Sequence, residues 1–158
     1  MTFEISDLSD ATLEATAALW HTGWHEAHAA ITPVALTRLR THDDFRRRLR
    51  QADFPVRLAL KGDEVLGFVA VIDAQLYQIF VAKAAQGRGV AKALMNEALT
   101  LIRDSGAQTA WLSCAVKNHR ASAFYEKTGW HNVGENVVSV DTSDGPFDLN
   151  VLRFERTL

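Results

Sequence analysis

The chain has 158 residues, enough for one domain with a sizeable core, at 47% apolar and 23% charged residues. Its net charge of −2 gives no basic footprint, which argues against nucleic acid as a partner. A lone cysteine excludes an internal disulfide, the N-terminus has no signal-peptide core, and no apolar run can span a bilayer, so a cytoplasmic protein without membrane attachment is expected.

Phe3 and Ile5 alternate with polar neighbours and predict a short strand. Ser9 or Asp10 can cap the following helix, where Leu13, Ala17, Trp20 and Trp24 share a face. Thr32-Pro33 reads as a second helix start with proline at its first position, and Thr41 with Asp44 as a third. The basic stretch Arg46 to Arg50 is then the solvated face of that third helix, with Phe45 and Leu49 turned inward.

Pro55 to Leu60 predicts a strand, Lys61-Gly62-Asp63 a turn, and Val65 to Ile72 a central strand covered on both faces. Asp73-Ala74-Gln75 turns the chain into an antiparallel strand, Leu76 to Val81. Gln86-Gly87-Arg88-Gly89-Val90-Ala91 follows, and then Val90, Leu94, Met95, Ala98, Leu101 and Ile102 recur at helical period. A strand, a glycine loop and a helix start bring free N–H groups and the positive end of a helix dipole to one place, which suits a phosphate or pyrophosphate. A tight turn into a surface helix accounts for the hexapeptide equally well. Neither a Walker loop nor the dinucleotide fingerprint fits. Ser105-Gly106 ends the helix, and Thr109 to Ala115 is a strand parallel to the one before the loop. Asn118 opens a short helix through Lys127, stopped at Gly129, and a hairpin closes the chain with its loop at Asp144-Gly145-Pro146.

Gln86, Gly89 and Ala91 in one motif, and Asn118 with Ala123-Phe124-Tyr125-Glu126-Lys127-Thr128-Gly129-Trp130 in the second, together resemble the GNAT superfamily of acyl-CoA-dependent N-acyltransferases. The resemblance runs from about Val65 to Trp130. It implies a single α/β (α+β) domain over residues 1–158, with a central mixed, mostly antiparallel sheet flanked by helices. It also implies transfer of an acetyl group from acetyl-CoA to a primary amine by direct attack. Gln86, Gly87, Arg88, Gly89, Val90 and Ala91 would bind the coenzyme A pyrophosphate. The backbone of Phe80 and Val81, unpaired where two strands splay, would hold the pantetheine arm and thioester. Asn118 would contact the arm, and Tyr125 would protonate the departing sulfur as general acid.

One feature departs from the family pattern. Many members carry a glutamate base on the strand before the loop, whereas this chain has Tyr77 and Gln78 there, and an amide cannot take a proton. Glu26, His25 and His28 are the base candidates, and Trp20, Trp24, His25, His28 and Gln78 are expected around the acceptor, with Glu26 attracting its ammonium. The His25-Glu26-Ala27-His28 run lacks the spacing of a zinc-protease helix, and no metal is expected. Cys114 is read as a small buried residue rather than a nucleophile. The acceptor is a small-molecule or peptide amine, and a homodimer stays open. The alternatives are a non-catalytic acyl-CoA-binding sensor domain and an acetyltransferase of protein N-termini or lysines.

Overall fold

The structure, a computed structural model, describes residues 2–158. In chain order the elements are β1 (Glu4–Asp7), α1 (Asp10–His28), α2 (Val34–Leu39), α3 (His42–Arg50), β2 (Val56–Lys61), β3 (Glu64–Ile72) and β4 (Gln75–Val81). A 3-10 turn (Lys83–Ala85) precedes α4 (Val90–Asp104), β5 (Thr109–Ala115), α5 (His119–Lys127), β6 (His131–Val140) and β7 (Phe147–Thr157). Ser9 and Thr41 cap α1 and α3 as expected, whereas Pro33 is the cap residue before α2 rather than its first residue.

The seven strands form one sheet in the order β1-β2-β3-β4-β5-β7-β6. Every neighbouring pair is antiparallel except β4 with β5. On one face, Trp20 and Trp24 of α1 and Phe45 and Leu49 of α3 bury against Leu58, Phe68 and Ala70. On the other, Leu94, Ala98 and Ile102 of α4 bury against Val69, Val71, Ala110 and Leu112. This explains the near-continuous apolar run of β3: helices cover both of its faces. Among the described residues no helix is long and apolar enough to cross a membrane.

Two departures from regular pairing shape the sheet around the site. Ala70 pairs with Gln78 while Val71 pairs with Leu76, so Tyr77 is an extra, bulged residue in β4. A bulge bends its strand and tightens the local twist. The second departure lies beside it: β4 and β5 are paired only at Gln75 and Trp111, where the Trp111 N–H also donates to Ala74 O at 3.1 Å. Beyond that point the two strands part, β4 running to Val81 and β5 to Ala115.

Two of the sequence expectations change. Arg46 to Arg50 is not wholly a solvated face, because Arg48 turns inward and is only 7% exposed. Its guanidinium lies 4.3 Å from the ring centre of Trp20, and a buried π face offsets part of the cost of desolvating the charge. Trp24 likewise has the guanidinium of Arg40 6.0 Å from its ring centre. The tryptophan faces expected to receive an acceptor cation are thus taken by the chain's own arginines.

Candidate active site

The glycine loop forms as its residues require. Gly87 and Gly89 both have positive φ, +75° and +85°, and the space where a Cβ would project from Gly89 is open. An L side chain is strained at that φ, and glycine leaves the approach clear for a ligand. The first helical bond of α4 runs from the Ala93 N–H to Gly89 O, so the N–H groups of Val90, Ala91 and Lys92 lie ahead of the ladder and unpaired within the helix. Arg88 and Lys92 stand exposed beside them. This combination of open approach, free donors and positive charge fits a pyrophosphate.

Gln86 does something the sequence did not reveal. Its side-chain oxygen accepts from Arg120 Nη2 at 2.8 Å, and its nitrogen donates to Val81 O at 3.4 Å. One amide thereby ties the loop to α5 and to the end of β4. Asn118 caps α5, its Oδ1 accepting from the Ala121 N–H at 3.2 Å, which leaves its side-chain NH2 for another acceptor.

The parting strands expose a single row of backbone groups. Ala82 N–H donates to Leu66 O at 2.8 Å, across to β3. Peptide groups alternate direction along a strand, so the Val81 N–H points the opposite way, into the opening beside β5. By the same alternation the Phe80 peptide turns back to β3, where Phe80 pairs with Phe68. The expectation that both Phe80 and Val81 are unpaired therefore narrows to Val81. The Phe80 side chain faces α1, where Gly23 permits close approach: a Cβ there would lie 2.7 Å from Phe80 Cδ1.

Tyr125 sits on α5 with its ring centre 5.8 Å from that of Phe154 and 6.3 Å from that of Trp130. Burial, and to a smaller degree the neighbouring Cys114, raises its pKa far above the ordinary phenol value, so the hydroxyl stays protonated throughout the neutral range. Cys114 is itself 5% exposed, bonds Ser122 Oγ at 3.7 Å, and has its pKa raised by burial, the character of a packed thiol rather than a nucleophile.

The acceptor-side candidates separate in space. Trp20 and Trp24 are core residues at 2% and 6% exposure. Glu26 is exposed, about 200° around α1 from Trp24, and among the described residues it makes no hydrogen bond or ion pair. The structure does not bring Glu26 together with the tryptophans. His25 is a brace: its Nε2 contacts Arg40 O at 2.6 Å, so this nitrogen carries the proton and joins α1 to the end of α2. Gln78 is half-buried on the Phe80 side of β4.

His28 lies beside Phe80, on the α1 side of β4. Its ring centre is 6.5 Å from that of Phe80, the residue before Val81. Its Nδ1 lies 3.1 Å from Trp24 O, and a carbonyl can only accept, so Nδ1 carries the proton and Nε2 keeps its lone pair. Burial lowers the His28 pKa below 6.5, the bond to Trp24 O opposes this in part and the Arg40 charge adds to it, so the ring is mainly neutral at pH 7. His21 is also lowered, first by burial and then by His25 and His42, whose rings stand 4.5 and 5.7 Å away. Among the described residues no group of three or more His, Cys, Asp or Glu converges to hold a metal ion.

These two histidines predict a pH dependence of stability. Their folded pKa values lie below the unfolded value of about 6.5, so at low pH the unfolded chain binds more protons. The stabilisation is whole above that value and is lost as pH falls through it. Urea midpoints should therefore drop between pH 7.5 and 5.5, and the slope should flatten in a His21→Gln/His28→Gln variant. An equal slope in the variant would assign the acid sensitivity to other groups.

At the end of β5 lies a cleft of about 290 Å³, lined by Ile31, Thr32 and Pro33 after α1, Ala115, Val116 and Lys117 at the end of β5 and just past it, and Asp148, Leu149 and Asn150 of β7. It is mostly apolar, with Asp148 its only carboxylate. Neither Asp148 nor Lys117 belongs to an ion pair among the described residues.

A mixed sheet that parts beside a glycine loop at a helix start defines the class of acyl-CoA-dependent acyltransferase folds. Over residues 15–130 the chain matches the model of the acetyltransferase (GNAT) family, and it belongs to that family. An uncharacterized N-acetyltransferase of Mycobacterium tuberculosis is 35% identical over 71 residues, covering 42% of this chain and 46% of the relative. That match thus spans about half the length of the curated relative. Among solved structures, a GCN5-related N-acetyltransferase from Rhodopseudomonas palustris superposes with a TM-score of 0.78 at 18% identity, covering 100% of this chain and 97% of that one. The PaiA N-acetyltransferase of Thermoplasma acidophilum, solved with coenzyme A, superposes with a TM-score of 0.70 at 19% identity over 100% of both chains. At such identities the likeness is one of fold.

Proposed function

We propose that the chain is an acetyl-CoA-dependent N-acetyltransferase acting on a small primary amine. The observation that carries this reading is the opening between β4 and β5, with the Val81 N–H directed into it, the glycine loop beside it and a cleft at the end of β5. Gly89, Val90, Ala91 and Arg88 would hold the pyrophosphate, and the Asn118 amide the arm. When bound, acetyl-CoA supplies an activated acetyl carbonyl.

The chain's own groups do the rest. Val81 N–H donates to the carbonyl oxygen as negative charge grows there, a preformed donor that needs no reorganisation. An amine of pKa about 10.4 must be deprotonated before it attacks. His28, neutral and with Nε2 unprotonated, receives that proton directly or through water, and so takes over the task that Gln78 cannot perform. Tyr125 offers its hydroxyl proton to the departing sulfur. Holding amine and donor side by side supplies much of the acceleration.

A cleft of about 290 Å³ suits a small amine better than a protein segment. Asp148 attracts its ammonium, and Asp148→Asn should raise the acceptor KM by about two- to fivefold, the scale of an exposed charge pair, with acetyl-CoA affinity unchanged. Calorimetric titration with acetyl-CoA, followed by a screen of small amines for thiol release, tests the whole reading. Absence of acetyl-CoA binding would overturn it.

A further inference from the structure

Arg48 is a buried cation without a buried anion. It is 7% exposed, and among the described residues it has no carboxylate partner; the carboxylates of that region, Asp44 and Asp141, pair with Arg40 and Arg47. Its Nε is buried with no hydrogen-bond partner. An uncompensated charge in a core is costly, and a methionine or leucine would fill the same volume without that cost. What Arg48 does have is a short bond: its Nη2 donates to the Tyr77 hydroxyl oxygen at 2.6 Å. The guanidinium also lies on the face of Trp20, 4.3 Å from the ring centre, and Trp20 packs in turn on Phe45 and Phe68. The arginine is thus held by α1 and α3 together, and it grips one residue of the sheet.

That residue is the bulge. Tyr77 is the extra position in β4, between Leu76 and Gln78, and its ring joins the core beneath α1 and α3. Pairing between β4 and β5 stops two residues earlier, at Gln75. Four residues later comes Val81, whose N–H faces the opening.

We infer that Arg48 is a positioning residue for acetyl transfer: through the Tyr77 hydroxyl it pins the β4 bulge to the helical layer and so keeps β4 parted from β5. Without the pin, β4 can regularise and extend its pairing along β5, which closes the opening and occupies the Val81 N–H. The strand-parting role stands on geometry alone; its consequence for the reaction rests on the function proposed above.

The test uses the full chain without ligand, as wild type, Tyr77→Phe and Arg48→Lys. Tyr77→Phe keeps the ring and removes only the acceptor. Arg48→Lys keeps a charge and loses the planar fork. Amide hydrogen exchange followed by NMR reads the Val81 N–H directly. Both variants should lose thermal stability, yet Val81 should exchange about tenfold more slowly than in wild type, the scale of one buried hydrogen bond changing hands. General destabilisation speeds exchange, so slowing at Val81 is a result that core packing alone does not give. Acetyl-CoA affinity should fall by about the same factor, with the acceptor KM unmoved. A lowered melting point with Val81 exchange unchanged or faster would overturn the inference and leave Arg48 as a packing residue. Slowed exchange with undiminished acetyl-CoA affinity would uphold the strand-parting role and overturn the donor site.

Discussion

Gly89→Glu should abolish acetyl-CoA binding while the chain stays folded. Gly89 holds φ at +85°, and among the described residues no atom beyond its chain neighbours lies within 4 Å of the position a Cβ would take, so the new side chain meets no wall of the protein. Its cost to the fold is the left-handed backbone, about 1–2 kcal/mol for an L residue. Its cost to binding is larger, because a carboxylate would stand at the helix start, among the free N–H groups of Val90, Ala91 and Lys92 that suit the pyrophosphate. Like charge and steric filling act together there, and loss of at least about a hundredfold in affinity is expected from like-charge repulsion alone at partial burial. Gly62→Glu is the control: it has φ +60° and equally open surroundings, in the turn between β2 and β3. The control carries the same backbone strain and should bind acetyl-CoA as wild type does. Calorimetry on both variants decides the matter. Equal binding by Gly89→Glu would remove the pyrophosphate from this loop.

The elements that frame the site were legible because local chemistry dictates them. Gly87 and Gly89 between an apolar strand and an amphipathic helix specify the loop, and Asn118 caps its helix as the sequence reads. The apolar run of β3 announces a strand covered on both faces. What stayed hidden depends on tertiary partners. Nothing in the Arg46–Arg50 run distinguishes Arg48 from its neighbours until Trp20 and Tyr77 are placed around it. Glu26 beside two tryptophans in sequence reads as a pocket, yet helical geometry sends it away from Trp24. Arg120 gains its meaning from Gln86, thirty-four positions earlier in the chain. The bulge did leave a trace. Leu76 and Ile79 both belong to the α4 side of the core although three positions apart, an odd spacing that a regular strand cannot place on one face. Read that way, Leu76-Tyr77-Gln78-Ile79 announces an extra residue, and with it the parting of the strands.

Tyr125→Phe should cut turnover by about a hundredfold and leave everything else in place. The ring is packed against Phe124, Trp130 and Phe154, at centre distances of 5.6, 6.3 and 5.8 Å, and phenylalanine keeps those contacts. Among the described residues the hydroxyl makes no hydrogen bond, so its removal orphans no partner, and the melting temperature should hold. Burial keeps the phenol protonated at neutral pH, which makes it a donor of a proton or a hydrogen bond and excludes it as the base. General acids contribute about 10²–10⁴ in rate, and the lower end applies here because a thiol of pKa about 8.5 leaves tolerably well unaided. In the proposed role the hydroxyl acts only as sulfur departs, so acetyl-CoA affinity and the acceptor KM should match wild type, with the loss confined to kcat. Steady-state kinetics at saturating acetyl-CoA, with binding measured separately, reads that split. Wild-type kcat in the variant would make Tyr125 a packing residue and leave protonation of the sulfur to water.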